Sequence, residues 1–127
     1  MSNKKRKDKR IKVYVCSSLK PHNVKRVDKI LARLVQDYPL VDFFRPYGTD
    51  PSTMMETVRE DVREIRQCDE LWQVGSYGRD SSWELGLAYG LGKRIKIFRD
   101  WQNSKKLASD EMIKIGLDEL TTEIIDL

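Results

Sequence analysis

The sequence predicts an α/β fold: one Rossmann-like or flavodoxin-like three-layer sandwich with a parallel sheet of four or five strands. Short β-branched and aromatic runs alternate with segments whose apolar residues recur at helical spacing. The 127 residues suit one domain, and neither an internal repeat nor a low-complexity linker marks a second. Such alternation is typical of parallel strands joined by right-handed crossovers, with helices on both faces of the sheet.

The elements follow in order along the chain. We predict strands at 11–18, 40–44, 70–74 and 94–98. We predict helices at 23–36 with Asn23 as a candidate N-cap, from Ser52 or Thr53 to about Cys68, at 80–91, and from about Ser109. The last ten residues, "DELTTEIIDL", fit either a short strand or a last helical turn. The loops 16–23, 44–53 and 75–81 should then converge at the carboxyl ends of the strands, where such sheets bind ligands.

Composition and charge narrow the functional classes. Residues 1–10 hold six Lys or Arg and one Asp, and we expect a disordered basic tail there, followed by one domain over 11–127. A nucleic-acid contact through this tail is an alternative that we do not favour. No apolar run approaches a membrane helix and none follows the basic start, so we expect a cytoplasmic protein with no membrane contact. Cys16 and Cys68 lack metal-binding spacing, and His22 is the single histidine, which predicts buried free thiols, no metal and no cofactor.

Two acids occupy positions that helical periodicity assigns to hydrophobes. Asp61 lies within a stripe of about 80° at 100° per residue, and Glu84 lies in the middle of the next helix's apolar stripe; the first stripe comprises Met54, Val58, Asp61, Ile65 and Cys68. A buried carboxylate is costly unless it is paired, so the alternatives to a functional role are a salt bridge to Lys or Arg and a stripe that ends near solvent. Two carboxylates at one cleft can divide the labour of glycosyl transfer, because one attacks carbon and the other handles the leaving group's proton.

The helix at 80–91 is apolar on nearly all sides. Gly86 and Gly90 lie four residues apart, a spacing that permits another helix to approach closely. Such a helix is either central to a core or packed against a second subunit. We therefore expect a homodimer.

The segment "SSWELGLAYGLGKRI" resembles the E-[LI]-G-x-A-x-x-x-x-K signature of the nucleoside 2-deoxyribosyltransferase-like superfamily. "EDVREIRQCDELWQV" and "VYVCSSLK" resemble that family's segment before the third strand and its first strand with the substrate loop. The likeness covers about residues 11–98. "CSSLK" is more similar to the branch of 2′-deoxynucleoside 5′-phosphate N-hydrolases than to the transferases.

The resemblance implies roles for particular residues. Glu84 would be the nucleophile that attacks the anomeric carbon, and Asp61 would position or protonate the base. Asp80 or Ser81 would match the polar residue that the family carries ahead of the nucleophile, where this chain has a shorter spacing. The resemblance and the loop chemistry also give the remaining candidate substrate contacts: Ser17, Ser18 and Lys20 for a 5′-phosphate, Arg45 and Arg79 for an anion, and Tyr47 for the base.

These observations favour an enzyme that cleaves the N-glycosidic bond of a 2′-deoxynucleoside 5′-monophosphate through a covalent glycosyl-Glu84 intermediate. Water would make it a nucleotide N-hydrolase, and a second base would make it a deoxyribosyltransferase. The alternative is a non-catalytic module of the same fold that binds or senses a nucleotide. The base, and the choice between ribose and deoxyribose, stay open.

Overall fold

The computed structural model describes residues 10–17, 21–46, 53–75, 80–99 and 111–127. These ranges contain five strands and four helices. The strands are β1 (Ile11–Cys16), β2 (Val41–Phe44), β3 (Glu70–Val74), β4 (Arg94–Arg99) and β5 (Glu123–Asp126). The helices are α1 (Pro21–Asp37), α2 (Met54–Gln67), α3 (Ser81–Gly90) and α4 (Glu111–Glu119).

The five strands form one sheet in the order β2-β1-β3-β4-β5, and every neighbouring pair is parallel. The predicted α/β sandwich with a parallel sheet is therefore confirmed, and the last segment is a strand rather than a helical turn. From β1 the chain crosses outward to β2, whereas from β3 it proceeds the other way to β4 and β5. The direction thus reverses between β1 and β3, whose carboxyl ends flank the crevice where such sheets bind ligands.

Alternate residues of each strand serve two separate cores, because successive strand side chains point to opposite faces. One face carries α1, and its buried cluster includes Val13, Val15, Val27, Leu34 and Trp72. The other face carries α2, α3 and α4, and its cluster is Tyr14, Cys16, Ile65, Cys68, Leu71, Leu85, Ala88, Ile95 and Leu117. These two cores on opposite faces make the three layers.

Two details differ from expectation. Helix α1 begins at Pro21, so Asn23 is not its N-cap but a fully buried residue within its first turn. The stripe on α2 is buried only toward its end: Met54 and Val58 are 52% and 41% exposed, whereas Ile65 and Cys68 are buried. The start of α2 therefore extends beyond the cover that the sheet and α3 provide.

The basic tail falls mainly on residues 1–9, which lie outside the described residues. Arg10 is described: its guanidinium donates to the Pro39 carbonyl at 3.2 Å and pairs with Asp42 at 3.5 Å. Both cysteines are buried free thiols, as predicted. Among the helices in the described ranges, none has the length and apolar character needed to cross a membrane.

Candidate active site

The candidate site lies at the crevice between β1 and β3. Strand β1 ends at Cys16 and β3 ends at Val74, where Gly75 turns the chain with φ +79°. A Cβ atom at Gly75 would lie 3.0 Å from Val27 Cγ2, so the turn packs closely against α1. Helix α3 begins at Ser81, which places Glu84 in its first turn.

Glu84 is buried against the end of β1. It is 4% exposed, and each of its carboxylate oxygens has its own donor. The Tyr14 hydroxyl donates to Oε2, and the Cys16 thiol donates to Oε1 at 3.2 Å. Tyr14 and Cys16 are two residues apart on one strand, so both side chains point to the α3 face. The carboxylate is thus fixed in one orientation.

Burial dominates the electrostatics of this carboxyl. Removal from water raises the pKa of Glu84 from its ordinary 4.5 to about 7, because the interior disfavours the charged form. The hydrogen bonds from Tyr14 and Cys16 oppose this shift, while the charges of Asp61 and Asp80 add to it. Glu84 is therefore close to half-ionised near neutral pH.

Asp61 brings a second carboxyl to the same region from α2. It is 7% exposed, and its Oδ1 atom has no hydrogen-bond partner among the described residues. Burial, followed by the charges of Glu60, Asp80 and Glu64, raises its pKa from 3.8 to about 6. An unpartnered buried oxygen is costly unless the group keeps a proton or meets a ligand, so Asp61 is suited to proton transfer.

Three other predicted site residues lie in the described part of the chain near Glu84 or near one of its hydrogen-bond donors. Ser81 is buried, and its hydroxyl acts to lower the pKa of the nearby Cys16 thiol, against the larger effect of burial. Asp80 is exposed, and its backbone carbonyl accepts from the Glu84 amide at 3.1 Å. Ser17 is half-buried and directly follows β1. These three residues therefore lie close to Glu84 or to one of its donors along the chain.

Arg45 is held by α1. Its guanidinium pairs with the Asp28 carboxylate and donates to the Val24 carbonyl at 3.3 Å. An anion bound by Arg45 would compete with Asp28 for the same group. Ser18, Lys20, Tyr47 and Arg79 lie outside the described residues, and their predicted contacts stay predictions.

An open cavity of about 200 Å³ adjoins this region between α2 and the strands β1 and β2. Tyr14 and Phe44 line it together with polar residues, and their rings stack at 5.5 Å between centroids. Neither Glu84 nor Asp61 lines this cavity, so it neighbours the pair of carboxyls without containing them. Within the described ranges, no cluster of three or more His, Cys, Asp or Glu is placed to hold a metal ion.

Sequence reasoning missed the two donors to Glu84. Cys16 was predicted only as a buried free thiol, and Tyr14 was not among the candidate site residues, although both side chains are hydrogen-bond donors. Their spacing held the signal: residues 14 and 16 share one face of β1, immediately before its carboxyl end. Only the packing of α3 against β1 shows that this face meets Glu84.

Comparison with known proteins gives likenesses in structure. No family model matches the chain, and no curated protein matches it. A 2-deoxyribosyltransferase from the psychrotolerant bacterium Bacillus psychrosaccharolyticus matches with a TM-score of 0.56 and 22% identity, over 68% of this chain and 71% of that one. A CMP N-glycosidase from Clostridium botulinum matches with a TM-score of 0.57 and 16% identity, over 91% of this chain and 88% of that one. The chain therefore has the fold of these two enzymes.

Proposed function

We propose that this chain is an enzyme that cleaves the N-glycosidic bond of a 2′-deoxynucleoside 5′-monophosphate through a covalent glycosyl-Glu84 intermediate. The observation that carries the proposal is the Glu84 carboxylate, buried at the crevice between β1 and β3 and held by one donor on each oxygen. A carboxylate oriented in this way meets the requirement for attack on a sugar carbon. The two enzymes of similar fold act, by their names, on nucleosides or nucleotides.

The two carboxyls divide the chemistry between them. Tyr14 and Cys16 stabilise ionised Glu84, whereas Oδ1 of Asp61 has no partner in the described chain. Burial gives Glu84 the higher pKa, about 7 against about 6 for Asp61, so the proton that the pair shares is divided between the two carboxyls. The reactive form in this proposal is the one in which Asp61 holds that proton and Glu84, with its two donors, carries the negative charge. One nucleophile and one acid are the two groups that this reaction needs.

In the first step, a Glu84 oxygen bonds to the anomeric carbon while the N-glycosidic bond breaks. Its electron pair leaves with the base, which takes the proton from Asp61. In the second step, Asp61 as a carboxylate accepts a proton from water, whose oxygen attacks the anomeric carbon and releases Glu84. Hydrolysis gives free base and deoxyribose 5-phosphate, and a second base in place of water gives base exchange.

Recognition of the substrate is the next part of the proposal. Ser17, with Ser18 and Lys20 after it, would bind the 5′-phosphate through hydroxyls, loop amides and charge. Arg45 and Arg79 are the further cations for that anion, and Tyr47 would stack on the base. CMP is itself a nucleoside 5′-monophosphate, so the Clostridium botulinum enzyme supports a phosphorylated substrate.

We also propose that the chain forms a homodimer through the outer face of α3. Gly86, Tyr89, Gly90 and Leu91 are all exposed there, and nothing within 4 Å would meet a Cβ atom at either glycine. An apolar face with small residues at a four-residue spacing suits a second helix packed closely against it. Light scattering should give twice the mass of one chain, and Tyr89→Glu should give the single-chain mass. A wild-type protein of single-chain mass at high concentration would rule the dimer out.

A panel of nucleotides tests the activity. We would incubate the chain with the four 2′-deoxynucleoside 5′-monophosphates, the matching nucleosides and CMP, and quantify released bases by mass spectrometry. Release should be fastest from a deoxynucleotide, and Glu84→Gln should lower it at least ~100-fold because the nucleophile is lost. Glu119→Gln, which removes an exposed carboxylate on α4, is the matched control and should keep full activity.

The outcomes separate the alternatives. Base release that survives Glu84→Gln would remove Glu84 as nucleophile. A glycosyl adduct on Glu84, detected by intact mass after rapid acid quench, would support the covalent route. Micromolar nucleotide binding by calorimetry without any base release would instead favour the binding or sensing module.

A further inference from the structure

The second donor to Glu84 is a thiol rather than a hydroxyl. Cys16 donates to Oε1 at 3.2 Å, while Tyr14 serves Oε2, so the two oxygens are held independently. With one donor alone, the carboxylate could rotate about the single bond that carries it. Two donors on different oxygens fix both the position and the plane of the group.

The Cys16 thiol lies in a buried environment that keeps it protonated. Ser81, the first residue of α3, is a neighbour whose hydroxyl lowers the pKa of this thiol. The thiol itself is fully buried. Burial and the charge of Glu84 raise the pKa of the Cys16 thiol well above its usual range, so the sulfur keeps the proton that it donates. The hydrogen bond from Cys16 to Glu84 therefore links the end of β1 to the first turn of α3.

We propose that Cys16 is a positioning residue, whose S–H group orients the Glu84 carboxylate for attack on the sugar. This inference rests on the proposed function for its catalytic consequence, but the contact itself does not. Within the part of the chain that the structure describes, the groups that act on the Glu84 carboxyl are Tyr14 and Cys16 from β1, Asp61 from α2 and Asp80 at the start of α3. Of these, Cys16 is the one that acts on Oε1.

The second cysteine provides a matched comparison. Cys68 belongs to the same buried cluster as Cys16, and its thiol donates to the Ile65 carbonyl at 3.0 Å instead of to Glu84. Removal of either sulfur leaves a similar void in the same core. A difference between Cys16→Ala and Cys68→Ala therefore reports the contact with Glu84 rather than the loss of core packing.

The deciding measurement is the pKa of the Glu84 carboxyl in full-length protein, followed by ¹³C NMR of labelled glutamate and assigned with Glu84→Gln. Cys16→Ala should raise this pKa by roughly half a pH unit, because a weak donor to the charged form is lost. Cys16→Ser, which keeps a donor, should restore part of the difference, and Cys68→Ala should leave the pKa unchanged. An unchanged Glu84 pKa in folded Cys16→Ala would overturn the proposal.

Turnover supplies the second readout. Cys16→Ala should lower kcat about tenfold with little change in KM, because a misoriented nucleophile slows the chemical step more than it weakens binding. Cys16→Ser should recover part of the rate, and Cys68→Ala should keep it. Equal rates for Cys16→Ala and Cys68→Ala would overturn the positioning role. If the wild-type chain releases no base, the proposed function fails, while the NMR measurement still decides whether Cys16 acts on Glu84.

Discussion

Replacing Glu84 with glutamine should make the stability of the fold less sensitive to pH. Glutamine has nearly the same shape as glutamate but carries no charge, so the variant removes ionisation and leaves the packing of α3 in place. In the folded protein the pKa of Glu84 is about 7, against an ordinary value of 4.5. The folded state therefore holds the Glu84 proton more tightly than the unfolded chain does.

The magnitude follows from linkage between protonation and folding. Below pH 4.5 the carboxyl is protonated in both the folded and the unfolded state, so folding does not bury a charged group at Glu84. As the pH rises from 4.5 to about 7, the unfolded chain ionises first and the contribution of Glu84 to stability is lost. At about 1.4 kcal/mol for each pH unit, the loss amounts to about 3 kcal/mol, and it stays constant above pH 7.

The Glu84→Gln substitution also lowers the free energy of unfolding by an amount that does not depend on pH. The glutamine amide nitrogen replaces one oxygen, so either Tyr14 or Cys16 loses its acceptor, at about 1 kcal/mol. This cost is independent of pH and cancels when the comparison is made between two pH values. We therefore compare the free energy of unfolding of Glu84→Gln with that of the wild type. The variant's value minus the wild-type value should be about 3 kcal/mol larger at pH 8.5 than at pH 4.

Urea unfolding of the wild type, Glu84→Gln and Glu119→Gln at half-unit steps from pH 4 to pH 9 measures the effect. Glu119→Gln corrects for the general effect of deleting one negative charge, because Glu119 is exposed on α4. Parallel curves of unfolding free energy against pH for wild type and Glu84→Gln would refute the reasoning. Such a result would mean that Glu84 is solvated rather than buried.

Three further predictions concern the two carboxyls and the glycines. The kcat/KM of the wild type should be bell-shaped with its optimum between about pH 6 and 7, since one proton shared by Asp61 and Glu84 provides one acid and one nucleophile; a rate that keeps rising above pH 8 would contradict this. Asp61→Asn should lower kcat about 100-fold and abolish the alkaline limb of the pH–rate profile, because no acid remains to titrate. In thermal or urea unfolding, Gly75→Ala should destabilise by about 1–3 kcal/mol through its positive φ and the contact with Val27, whereas Gly116→Ala in α4 should stabilise by about 0.5–1 kcal/mol as a better helix former; equal effects would argue against the tight turn.

The sequence predicted the elements well because the periods of strand and helix are local properties. Strand β3 was placed at its observed residues, and α3 within one residue at each end. The burial of Asp61 and Glu84 was also predictable, since each lies on the apolar stripe of its helix. In both cases the information lies within one or two turns of the residue.

Longer-range features escaped prediction for the opposite reason. The contact between Cys16 and Glu84 joins residues 68 positions apart, and it depends on how α3 packs against β1. The exposure of Met54 and Val58 depends on where the sheet ends beneath α2, which helical periodicity does not encode. Asn23 gives a third example, because asparagine is a residue type that is favoured at N-caps. The helix begins two residues earlier, and tertiary packing buries the Asn23 side chain.

The same burial explains the cost and the proposed use of the candidate site. An exposed carboxylate would be ionised without cost, but water would solvate its charge and leave its orientation free. Burying Glu84 raises its pKa toward neutrality, and Tyr14 and Cys16 return part of the lost solvation as two directed hydrogen bonds. The carboxylate can then ionise near pH 7 while its oxygens remain in fixed positions. A stabilising change at Glu84 is therefore expected to come at the expense of activity, because the destabilising charge is the proposed attacking group.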